Sequence, residues 1–128
     1  MIDPMSMEEF EETVSLVLDG LPEDFAEKLE MGNVGVVVRR RPSPEELNGA
    51  GVGSGSILLG LYQGVPPSRR GIGYSLVLPD NISIYKEPIE EYCKRTGADV
   101  PDTIRRVVLH EIAHHFGIPD ERLRELGY

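Results

Sequence analysis

Residues 110–114 read His-Glu-Ile-Ala-His. On a helix, four residues at about 100° each bring His114 back to within about 40° of His110, one turn further along. Two imidazoles on one face are a chelating pair, and neutral imidazole suits a borderline cation such as Zn2+. Glu111 stands one step round the helix, where it can lie beside a metal-bound water without being a ligand. The metal lowers that water's pKa from about 15.7 towards about 7 and polarises the carbonyl under attack, while Glu111 takes the proton and delivers it to a leaving amine. The chemistry is hydrolysis with Glu111 as general base.

The residues that follow complete a ligand set. Gly117 lets the chain reverse through a left-handed residue, Pro119 prevents the helix from resuming at once, and Asp120 lies where the returning chain offers a carboxylate. The string H-E-x-x-H-x-x-G-x-x-D thus supplies three metal ligands, His110, His114 and Asp120, and leaves a fourth position for water. Glu125 is the reserve for the third place. His115 points about 100° away from His114 and reads as a surface or supporting residue. The competing reading makes the two histidines satisfied core residues and Asp120 a cap on a last turn holding Glu121, Leu123 and Leu126. Cap and ligand are compatible roles, because a carboxylate has two oxygens.

The motif helix starts near Pro101-Asp102, with Asp102 as its cap, and its apolar members Ile104, Val107, Val108, Leu109, Ile112, Ala113 and Phe116 cover most of the circumference. Such a helix is central. Around it the sequence predicts a helix opened by a Ser6/Glu9 capping box, with Met7, Phe10, Val14, Val17 and Leu18 inward and Asp19-Gly20 as its end. Pro22 begins a second helix that turns Phe25, Ala26 and Leu29 inward. A strand is expected over Val34 to Arg41, a helical turn at Ser43 to Glu46, and a mobile Gly-rich loop over Asn48 to Ser56. The loop lacks the Gly-Lys-Ser/Thr ending of a P-loop. Further strands are expected at Ile57 to Tyr62, Tyr74 to Leu78 and Ile82 to Tyr85, with a long connection over Gly64 to Gly73. A helix over Pro88 to Thr96 turns Ile89, Tyr92 and Cys93 inward and stops at Gly97.

The chain has 128 residues, 40% of them apolar, and a formal charge of -9. That length and composition predict one compact domain over residues 1–128. One Cys, Cys93, excludes an internal disulfide framework or a Cys-based zinc cluster. With no basic start leading into an apolar stretch and no long apolar run, the expected place is the cytoplasm, away from membranes. Residues 1–30 hold ten acids and one base, Lys28, while the rest balances. The two N-terminal helices are therefore an acidic layer, expected to cover the sheet, and they oppose nucleic-acid binding. Arg39 to Arg41 alternate between two faces and read as a solvated strand end.

HEIAHHFGIPDERLRELGY, together with LDGLP near residue 20, GLYQGVPPSRRG and LPDNISIYKEPI, resembles the short bacterial zincin-like metallopeptidases over nearly the whole chain and in the same order. The resemblance implies an α+β minimal zincin-like fold, a small mixed sheet packed beside the H-E-x-x-H helix. It also implies Zn2+ held by His110, His114 and Asp120 with Glu111 as general base. The string is similar in part to the metzincins, whose motif ends in histidine where Asp120 stands here. It differs in the methionine turn, since all four Met residues precede Gly32. With eight residues after Asp120, a shallow substrate site is expected, bounded by a sheet edge at Tyr74 to Leu78 and by mobile loops. Extended peptide or unfolded protein could add to that edge as a strand. Two other functions compete with a zinc peptidase: a zinc-stabilised binding protein without turnover, and a non-peptidase zinc hydrolase such as an RNase.

Overall fold

The computed structural model describes residues 4–49, 58–64 and 80–128. These form helices α1 (Met7–Asp19) and α2 (Glu23–Met31), strand β1 (Gly35–Arg39), helix α3 (Pro44–Gly49) and strands β2 (Gly60–Gln63) and β3 (Asn81–Tyr85). Helices α4 (Lys86–Thr96), α5 (Val100–Phe116) and α6 (Asp120–Glu125) complete the order. The architecture is α+β. The expected strand at Tyr74 to Leu78, the connection over Gly64 to Gly73 beyond Gly64 itself, and the Gly-rich loop beyond Gly49 lie outside the described residues.

The sheet is mixed, in the order β1-β3-β2, with β1 parallel and β2 antiparallel to β3. A central strand with both faces covered needs apolar side chains on both, and Ile82, Ile84 and Tyr85 are all fully buried. Ser83 is buried with them and its hydroxyl oxygen accepts from Arg39 Nε at 3.3 Å. Arg40 and Arg41, beside it, pair with Glu87 at the surface at 3.7 and 3.0 Å, as a solvated strand end should.

Helix α5 is the hub, touching α1, α2, α4, α6, β2 and β3. Ile104, Val108, Leu109 and Ile112 are fully buried, joined in one cluster with Phe10, Phe25, Ile82, Ile84, Ile89 and Leu123. Each such side chain contributes about 1.5–3 kcal/mol of transfer free energy, which anchors the motif helix in the core. The N-terminal helices make their main contacts with α5 rather than with the sheet, so the acidic layer backs the motif helix. Residues Ser6 and Glu9 form the expected reciprocal cap on α1 at 3.1 Å. Among the described residues, no helix is long and apolar enough to cross a membrane.

Candidate functional site

The start of α5 differs from the sequence expectation. Asp99, not Asp102, is the cap: its carboxylate accepts from the Asp102 N–H at 3.1 Å, and Val100, inside the helix, is buried. Asp102 therefore lies in the first turn, where its Oδ1 accepts the hydroxyl of Tyr128 at 2.6 Å. From there Asp102, Arg106, His110 and His114 follow at intervals of four, drifting by about 40° per step along one face.

His110 and Glu111 are half-buried and His114 is exposed. The rings of His110 and His114 are 6.2 Å apart between centroids and perpendicular. Burial, together with the positive charges of His114 and Arg106, pushes the His110 imidazole below its usual pKa, and the nearby Asp120 carboxylate opposes this. The shift favours the neutral form of His110, which has a lone pair to donate. Burial raises the pKa of Glu111, against a hydrogen bond from the backbone N–H of Tyr62 and the charge of His114. A carboxyl with a raised pKa is a better proton acceptor than an exposed one.

Asp120 arrives by the local route read from the sequence. Gly117 adopts φ +69°, Ile118 N–H reaches back to Ala113 O at 2.9 Å, and Pro119 precedes α6, whose first residue is Asp120. Helix α6 is tied to α2 by Arg122, whose Nε and Nη2 donate to Asp24 at 2.9 and 3.1 Å. Glu125 accepts from the same guanidinium at 3.3 Å, a role that occupies the reserve ligand. Two imidazoles and a carboxylate suit Zn2+ in kind, and the imidazoles share a helix face. Among the described residues, no three His, Cys, Asp or Glu side chains stand close enough to hold a metal ion as they are, so the set does not yet fit in its distances.

Strand β2 lies against the motif helix, and a glycine permits it. A Cβ on Gly60 would stand 2.4 Å from Val107 Cγ1 and 3.1 Å from Ser83 O. Beside this contact a cleft of about 580 Å3 opens, lined by Gly60, Val107, His110 and Glu111, with Arg106 and Tyr128 along its wall. Reading the sequence alone missed Arg106, although its spacing from His110 was the available signal. It also missed Tyr62, whose ring stacks on His115 at 3.7 Å and whose hydroxyl donates to Asp80 at 2.8 Å. His115 is exposed, as expected, and supports the strand from outside.

The sequence profile of the zincin-like metallopeptidases matches residues 31–128. No curated protein matches the chain.

Proposed function

The chain belongs to the zincin-like metallopeptidase family, and from that premise we propose that it hydrolyses peptide bonds in peptides or unfolded protein as one catalytic domain. The observation that carries the reading is Glu111, half-buried, held by the Tyr62 N–H and lining the cleft together with His110. In the proposal His110, His114 and Asp120 would hold Zn2+, which when bound would supply Lewis acidity to the carbonyl and lower the pKa of water. The Glu111 carboxylate accepts a proton from the attacking water and delivers it to the leaving nitrogen, which completes the hydrolysis. The Tyr62 N–H fixes the carboxylate for that exchange.

Strand β2 is the described strand adjoining Glu111 and is the proposed rail for an extended substrate, while the expected edge at Tyr74 to Leu78 lies outside the described residues. Main-chain hydrogen bonds along such a rail give affinity with little dependence on side chains. The acidic N-terminal layer makes nucleic acid a poor partner. A cytoplasmic setting is proposed, with which the buried free thiol of Cys93 agrees.

The test is cleavage of unstructured casein by the zinc-loaded chain, with and without chelator. The expected result is cleavage that chelator abolishes, that added Zn2+ restores, and that falls by about 10²–10⁴ in Glu111→Gln while zinc is retained. Full activity in Glu111→Gln overturns the general-base role. A zinc-loaded chain that cleaves neither casein nor short peptides is a binding module instead.

A further inference from the structure

The wall of the cleft holds a cation that the hydrolytic chemistry does not use. Arg106 is exposed, lines the same cleft as His110 and Glu111, and precedes His110 by one helical turn. The ordinary structural use of an arginine at this position is an i,i+4 ion pair with Asp102. That pair is absent: Oδ1 of Asp102 accepts the Tyr128 hydroxyl, and Arg106 forms no ion pair among the described residues. The guanidinium sits instead over the Tyr128 ring, 5.7 Å from its centroid. A ring anchored through its hydroxyl supports the cation from one side by its negative face and leaves the N–H fork available.

We propose that Arg106 is a specificity-determining residue of the cleft, pairing with a carboxylate on the peptide within about two residues of the bond cleaved. The range follows from geometry. Four residues of helix advance about 6 Å, which an extended peptide covers in about two residues. Glu111 is the acid lining the cleft and is committed to proton transfer, so the carboxylate that completes Arg106 comes from the substrate. Two sources share that chemistry, an Asp or Glu side chain and a free C-terminus. The inference rests on the peptidase reading given above.

The test uses the zinc-loaded full chain and a series of fluorogenic peptides. Members differ only in Asp or Glu against Asn, Gln or Lys at the two positions on either side of the cleaved bond, and in a free or amidated C-terminus. The expected result is a kcat/KM about tenfold or more higher for the acidic member at one position, or for the free C-terminus, as a charge-assisted pair supplies. In Arg106→Gln that ratio falls to near unity, and in Arg106→Glu the preference moves to Lys. Circular dichroism checks that both variants are folded. Cleavage without acidic preference, or a preference that survives Arg106→Gln, overturns the inference and leaves the peptidase reading intact. If no peptide is cleaved, the peptidase reading fails, and anisotropy of the same labelled peptides on the zinc-loaded chain still reads Arg106. A Kd gap between acidic and amide peptides that Arg106→Gln removes supports the site, and equal Kd values overturn it.

Discussion

The ring of Tyr62 lies face to face with the imidazole of His115, 3.7 Å between centroids and 13° from parallel. Tyr62 belongs to β2 and His115 to α5, so the stack joins the strand to the motif helix. The same tyrosine donates its hydroxyl to Asp80 and its backbone N–H to Glu111. His115 also stands 3.9 Å from Asp80. One residue therefore links the proposed substrate rail to the proposed general base.

Removing that ring should loosen the strand. Tyr62→Ala is expected to cost about 1–3 kcal/mol through lost stacking and packing. Tyr62→Phe keeps the stack and loses the bond to Asp80, for about 0.5–1.5 kcal/mol. Urea denaturation ranks the two, and an equal loss in both variants would place the stabilisation in the hydroxyl rather than the stack.

Gly60→Ala should disturb the same contact from the other side. Val107 is β-branched and short, so its methyl cannot swing clear of a new Cβ, and Ser83 O restrains the backbone. A loss of about 1–3 kcal/mol is expected, together with weaker peptide turnover. Unchanged thermal stability would show that β2 can lift from α5 without penalty.

Zinc should stabilise the fold through the proposed ligands. At a concentration about 100 times its Kd, a ligand specific for the native state adds about 2.7 kcal/mol. Wild-type Tm should rise on adding Zn2+ to chelator-treated protein, and His114→Ala should lose both this response and the bound metal. Elemental analysis and calorimetry together read the outcome. A zinc-dependent rise that persists in His114→Ala means that other residues bind the ion.

The two shifted groups predict opposite pH trends in chelator-treated protein. His110 has a lowered pKa when folded, so the unfolded chain binds more protons as pH falls below about 6.5, and stability is lost there. Glu111 has a raised pKa when folded, so its effect runs the other way: stability falls as pH rises through about 4.5 to the folded value. His110→Gln should flatten the decline below pH 6.5. Glu111→Gln should be more stable than wild type at neutral pH, with the gap narrowing in acid. Parallel Tm curves for wild type and both variants would contradict the assigned burial.

What was legible in the sequence was local. The Ser6/Glu9 cap, the left-handed Gly97 and Gly117, and the inward face of α5 depend on neighbours a few residues away. Asp99 and Asp102 were harder, since both are good caps three residues apart. The choice depends on the burial of Val100 and on Tyr128 arriving at Asp102 from the far end of the chain. The stack of Tyr62 on His115 has no periodicity to reveal it, because it forms only when β2 settles on α5. The placement of α1 and α2 against α5 was missed for the same reason. An amphipathic stripe says that a helix is covered and leaves the covering element unnamed.

The double bond between Arg122 and Asp24 gives the short C-terminal helix a brace far outside the H-E-x-x-H string. Asp120 begins that helix, so its alignment depends partly on a carboxylate in the acidic N-terminal layer. Trimming the chain through α2 would leave every proposed metal donor in place and remove this strut. The acidic segment is then less a coat for solubility than a splint for the proposed third ligand.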